Sequence, residues 1–414
     1  MTDDDRRKRA RHFIILLGWV SLLADLCYEG MRSAIGPYLE LLGASATAVG
    51  AVAGTGELVG YALRYWSGSL VDRTHAYWTI TIAGYACNII AVPALALAGN
   101  WPAVAGLVAL ERLGKAVRSP AKSTLTSFAG ADLGAGKAFA INEAMDQLGA
   151  LAGPLVVAGV LAWRGQSVAG FGLAFALLGF PALGAVGVLA RARRLYPDPR
   201  AIESEAPSEG AAAARLGPRY RVYLVGVALV AIGLADWPLI AFHLERMHML
   251  ATVWLPVVYA GAMGADGLVS LAAGLAFDSS RKRGATGAGV IAVFVIAGAA
   301  YAPLAFGDSL ALAFAGIVLW SIARAATESI GKAMIAALVP HGQRGRAYGV
   351  YYLVYGGAWW AGSLLLGWLY DRAPMNAGIA GTVALVAGAA VVAWSGAKRV
   401  TPIGPAHDGE PGAT

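Results

Sequence analysis

Apolar residues run along the chain in blocks of about twenty, separated by short polar or basic connections. A helix of about 20 apolar residues covers the hydrocarbon core of a bilayer. The blocks therefore predict membrane-spanning helices at 13–36, 47–67, 77–98, 102–120, 138–163, 168–190, 220–243, 252–276, 285–305, 309–330, 346–369 and 376–396, twelve in all, with several charges in 102–120 and 309–330. Between the sixth and seventh blocks the chain turns polar, through Glu203-Ser204-Glu205-Ala206-Pro207-Ser208-Glu209-Gly210, and reads as a flexible linker. The pattern gives an all-α polytopic membrane protein: a six-helix bundle at 1–190, a cytoplasmic linker at 191–219, a second six-helix bundle at 220–400, and a Pro-, Gly- and acid-rich tail at 401–414 read as disordered.

Composition closes the soluble alternative. Of 414 residues 58% are hydrophobic and 14% charged, against about 45–50% and about 25% in ordinary soluble domains. The mean hydropathy is +0.60. The 54 glycines, about 13% of the chain, follow no three-residue period and suit close helix packing in lipid. The basic start, Met1 to Phe13, leads into a run that carries Asp25 and Glu29, so it reads as a retained first helix rather than a cleaved signal.

The excess of 32 Lys and Arg over 25 Asp and Glu lies in connections and termini. Alternate connections hold most of the positives, which places both termini and the linker in the cytoplasm; the expected location is a bacterial-type plasma membrane. No basic stretch interleaves aromatics, so no nucleic-acid partner is expected. Cys27 and Cys87 stand apart in apolar runs and support neither a disulfide framework nor a metal site. No cofactor is expected, and no Gly-x-x-x-x-Gly-Lys-Ser/Thr loop suggests an ATP-driven pump.

The halves echo one another. Ala24-Asp25 has a counterpart in Ala235-Asp236, 211 residues on; Glu111 to Ala116 in Glu328 to Ala333, 217 on; and Gly68-Ser69-Leu70-Val71-Asp72-Arg73 in Gly274-Leu275-Ala276-Phe277-Asp278-Ser279, 206 on. Correspondences at nearly one offset point to a duplicated unit, a common basis of transporter folds.

At these residues the chain resembles a major facilitator superfamily permease. Gly68 to Arg73 resembles the family's Gly-x-Leu-x-Asp-Arg loop between helices two and three, although Thr74-His75-Ala76 replaces the usual Gly-Arg-Arg/Lys. Gly149-Ala150-Leu151-Ala152-Gly153-Pro154 resembles the Gly-x-x-x-Gly-Pro signature of its drug and proton antiporters. The resemblance implies twelve helices in two pseudo-symmetric bundles, alternating access, and a cavity lined by helices one, four, seven and ten. Gating is expected at Gly68, Asp72, Arg73, Gly149, Gly153, Pro154, Gly274 and Asp278.

Charges within the spans carry the candidate chemistry. An ionised group at mid-membrane costs about 2.5–3.5 kcal/mol on insertion scales, so each needs a partner, water or a task. Asp25, Glu29 and Arg32 share one helix face at i, i+4, i+7. Glu111, Lys115 and Arg118 share another, and Arg324 and Glu328 a third. Burial raises the pKa of a carboxylate and a neighbouring cation lowers it, which is the chemistry of proton coupling. Candidate proton-coupling residues are Asp25, Glu29, Glu111, Asp146, Asp236, Asp266 and Glu328. Candidate substrate contacts are Arg32, Glu57, Arg112, Arg324, Tyr348, Tyr352 and Tyr355, the tyrosines forming a stripe that suits bundle packing better than substrate contact. The expected function is proton-coupled efflux of a small organic molecule by a monomer embedded in lipid. The alternatives are proton-coupled uptake of a polar or zwitterionic solute and, from another class, an intramembrane lipid-modifying enzyme.

Overall fold

The computed structural model describes residues 3–133, 135–198, 217–339 and 344–396. Most of the expected linker and the 401–414 tail lie outside the described residues.

Fifteen helices follow one another among the described residues: α1 (Asp3–Leu41), α2 (Ala46–Thr74), α3 (Tyr77–Ala94), α4 (Trp101–Leu133), α5 (Ala135–Arg164), α6 (Val168–Leu177), α7 (Gly179–Leu195), α8 (Pro218–Gly233), α9 (Trp237–Arg246), α10 (Leu255–Lys282), α11 (Ala288–Gly298), α12 (Tyr301–Ala305), α13 (Leu310–Leu338), α14 (Arg344–Arg372) and α15 (Pro374–Ser395). They make twelve spans, because α6 with α7, α8 with α9, and α11 with α12 each form one interrupted crossing. Nine of these crossings are long and apolar enough to span a membrane. The other three are α2, α4 and α14, where charge or a high share of Gly, Tyr and Trp dilutes the aliphatic content.

The connections fall at two ends. One, the termini end, carries the starts of α1 and α8; the other, the far end, carries short turns such as 42–45 and 165–167. Several helices run well past the apolar blocks toward the termini end. Hydropathy stops near Pro120, yet α4 continues to Leu133, and its Lys122, Ser123 and Thr126 line a cavity rather than facing lipid.

Glycine explains how the helices come so close. A Cβ on Gly149 would lie 2.3 Å from the Leu22 carbonyl oxygen, and one on Gly153 would lie 2.2 Å from that of Leu26. These two glycines let α5 rest on the backbone of α1. On the outside, Leu97, Trp163, Phe180 and Leu268 are each at least 71% exposed, an apolar surface that lipid, not water, accommodates. Trp101, Trp163, Trp254 and Trp368 are exposed near far-end helix boundaries, as an interfacial aromatic belt requires.

Candidate functional site

The two halves meet tightly at the far end. A Cβ on Gly36 of α1 would lie 2.2 Å from the Pro238 carbonyl oxygen in α9, and one on Gly50 of α2 would lie 2.2 Å from that of Ser363 in α14. At the α2 start, Asp371 of α14 accepts hydrogen bonds from the backbone N–H groups of Ala46 (2.9 Å) and Thr47 (2.8 Å), and from the Thr47 hydroxyl. A carboxylate from one half thus caps a helix of the other.

Beneath that seal lies an ion network. The seventh crossing breaks between α8 and α9, where Asp236 caps α9 by accepting from the Trp237 N–H at 2.8 Å. The same carboxylate holds Arg32 of α1 at 2.6 Å. Glu57 of α2 bridges Arg32 (3.6 Å) and Arg112 of α4 (3.0 Å), and Arg112 in turn lies 3.8 Å from Glu111. Charges therefore alternate in sign from Asp236 to Glu111, all at side chains under 10% exposed. Tyr259 of α10 donates to Glu29, and the Trp237 indole donates to the Ser33 carbonyl at 3.2 Å. These contacts tie α1 to the second half.

Toward the termini end the bundle opens into a cavity of about 810 Å³. Its lining includes seven cations (Arg32, Arg64, Arg112, Lys115, Arg118, Lys122, Arg324) and seven acids (Asp25, Glu29, Glu57, Glu143, Asp146, Asp266, Glu328). Some neutralise one another directly. Arg324 of α13 pairs with Asp266 (3.0 Å) and Glu328 (3.2 Å). Lys122 lies 3.5 Å from Asp146, which also accepts from Asn142 at 2.9 Å.

Others meet no opposite charge within 4 Å among the described residues. Asp25 is one. Arg64, Lys115 and Arg118 are three more, and each rests on a tyrosine ring: Arg64 is 5.1 Å from the Tyr61 centroid, Lys115 is 3.5 Å from Tyr28, and Arg118 is 4.4 Å from Tyr85. A cation over a ring gains about 0.5–2 kcal/mol, less than the roughly 2.5–3.5 kcal/mol cost of a charge at mid-membrane. Arg118 adds a hydrogen bond to the Asn88 amide oxygen at 2.9 Å.

The candidate residues divide accordingly. Asp25, Glu29, Arg32, Glu57, Arg112, Asp146, Asp266, Arg324 and Glu328 line the cavity. Asp236 lies in the cross-half network above it, and Glu111 is fully buried off the lining. The tyrosine stripe faces elsewhere. Tyr352 stacks on Tyr61 at 5.8 Å and Tyr355 meets it edge-on at 5.4 Å, so the stripe joins α14 to α2. Neither these two nor Tyr348 belongs to the lining.

Of the expected gate, Gly149, Gly153 and Pro154 sit in α5 within one half. A Cβ on Gly68 would make ordinary contact with the Pro120 side chain at 3.8 Å, Gly274 has open space, and Arg73 and Asp278 are exposed at the termini end. The side chain of Asp72 lies outside the described residues. The candidate residues read from the sequence did not include Lys115, Arg118, Lys122 and Arg64, which also line the cavity, although the i, i+3, i+7 spacing of the first three places them on one face of α4.

No protein-family model matches the chain. An uncharacterized protein of Mycobacterium tuberculosis is 39% identical over 370 residues, 87% of each chain. An uncharacterized MFS-type transporter of Methanocaldococcus jannaschii is 22% identical over 386 residues, 91% of this chain and 93% of the other. Among solved structures, a bacterial homolog of the human lysosomal transporter Spinster, inward-facing and unoccupied, superposes with a TM-score of 0.72 at 15% identity, covering 94% of this chain and 96% of that one. The peptide transporter POT in complex with sulfate gives 0.73 at 15%, covering 92% and 94%. The nucleoside transporter NupG gives 0.68 at 12%, covering 92% and 97%. Each of these solved neighbours is a transporter. With twelve crossings in two bundles around a central charged cavity, the chain has the major facilitator superfamily fold of these transporters.

Proposed function

We propose that this protein is a proton-coupled secondary transporter of a small polar organic molecule, working by alternating access as a monomer in a bacterial plasma membrane with both termini cytoplasmic. The observation that carries the reading is Asp25: a carboxylate on the cavity wall, midway along α1, with no cation within 4 Å among the described residues. Protonation offers such a group an escape from the cost of an unpaired charge. A proton on Asp25 would leave the lining, balanced at seven charges of each sign, with one excess positive charge. A solute bearing negative charge completes that balance, which favours co-transport of proton and solute. The seal at the far end corresponds to a resting state open to the cytoplasm.

Export by exchange with protons is the second reading. It draws on the Gly149-to-Pro154 signature in α5, and requires the solute and the proton to compete for one group.

Purified protein in proteoliposomes under an imposed pH gradient tests the coupling. Asp25→Asn is expected to abolish gradient-driven flux of a transported solute while leaving the protein folded. Undiminished gradient-driven flux in that variant removes Asp25 from the mechanism. Accumulation with an inward-acidifying gradient supports co-transport, and expulsion supports exchange.

A further inference from the structure

We infer that the transported molecule carries a carboxylate or phosphate group, and that this group docks on Arg64 of α2 together with Lys115 and Arg118 of α4. The inference rests on the transporter reading and adds the chemical class of the substrate.

Three observations converge on these side chains. Each lines the cavity, and none has a carboxylate within 4 Å among the described residues. Other cations of the lining are spoken for: Arg32 and Arg112 by Asp236 and Glu57, Arg324 by Asp266 and Glu328, Lys122 by Asp146.

Each of the three lies over a tyrosine ring, Arg64 over Tyr61, Lys115 over Tyr28 and Arg118 over Tyr85. A ring attracts a cation through its quadrupole but accepts no strong hydrogen bond, so donors remain for an incoming anion. Arg64 Nε is buried and meets no acceptor.

Position agrees with accessibility. The two α4 cations lie three residues apart on one face, between the paired Arg112 at the cavity floor and Lys122 nearer its mouth. Helix α2 is held against the same stretch, since Ser67 donates to the Ala116 carbonyl at 2.8 Å. An anion entering from the termini end meets all three before it reaches the network that ties the halves together.

Binding is tested without any gradient, on the full-length protein in detergent or nanodiscs, by calorimetry and ligand-induced thermal stabilisation. Four probes share one aromatic skeleton: phenylphosphate, phenylacetate, phenethylamine and phenethyl alcohol. The two anions are expected to bind and the amine and alcohol not to. Binding of phenylphosphate alone assigns a phosphate, and binding of both anions assigns a site open to carboxylates.

Lys115→Gln and Arg118→Gln are each expected to weaken anion affinity about thirtyfold or more, as removal of one partner from a desolvated charge pair does. Lys115→Arg is expected to retain binding. Failure of both anions to bind, preferential binding of the amine, or unchanged anion affinity in the glutamine variants overturns the inference.

Should those variants not fold, acylation of Lys115 by an N-hydroxysuccinimide ester in the unaltered protein decides: phenylphosphate is expected to slow it, and equal rates overturn the site. Anion binding is read with no gradient and the coupling only by gradient-driven flux of Asp25→Asn, so failure of the anion site and failure of the coupling are read separately.

Discussion

Glu57 holds two arginines from two helices, Arg32 at 3.6 Å and Arg112 at 3.0 Å, with its side chain 8% exposed. Removing one member of a buried ion network leaves its partners uncompensated, at a cost of about 3–5 kcal/mol. Glu57→Gln is therefore expected to lower the thermal unfolding midpoint in detergent, whereas Asp25→Asn, with no partner to strand, is expected to leave it within error. Equal midpoints for Glu57→Gln and the parent would refute the network's structural weight. At this scale the sequence was partly legible. The i, i+4, i+7 spacing of Asp25, Glu29 and Arg32 set them on one face, and all three line the cavity. It could not reveal that Arg32 is satisfied by Asp236, 204 residues away, or that Lys115 and Arg118 lie over rings from α1 and α3. Those partners are neighbours in space alone.

Among elements, glycine positions separate close packing from spare room. Gly153 of α5 meets the Leu26 carbonyl, while a Cβ on Gly60 of α2 would find nothing within 4 Å. Gly153→Ala is expected to destabilise by about 1–3 kcal/mol, the range of overpacked contacts. Gly60→Ala is expected to be neutral or to stabilise by up to about 1 kcal/mol through helix propensity. Thermal melts of the pair check both, and matching shifts would contradict the α1–α5 contact. The glycine spacing was readable in advance, but which helix it meets was not.

Asp371 supplies a second element-scale test. Burial against α2 opposes its ionisation, yet hydrogen bonds from Thr47 and the α2 amides outweigh it and hold its carboxyl below the usual range. A folded-state pKa below the unfolded one gives a contribution present above the ordinary carboxylate range and lost as pH falls through the lowered value. The far-end seal is thus expected to loosen on acidification from that side, and to loosen at neutral pH in Asp371→Asn. Spin labels at Ala44→Cys and Ala373→Cys, with Cys27 and Cys87 replaced, would report wider separations in both cases. Unchanged separations would remove Asp371 from the seal.

For the molecule as a whole, alternating access requires the cavity to be reachable from one end at a time. Ser270 of α10 lines it. Ser270→Cys, in a background without Cys27 and Cys87, is expected to react with a membrane-impermeant maleimide from the termini end and to be shielded from the far end. Reaction from the far end alone would contradict the far-end seal. The chain's own order of residues determined the twelve crossings, their pairing into related halves and the presence of ionisable groups within them. Those features follow from local rules, because lipid compels each apolar block to satisfy its backbone internally. Tertiary structure alone decided which charges are matched, which are left facing the cavity, and which end is shut. Charge compensation and helix contact depend on distances between segments far apart along the chain, and no local pattern encodes them.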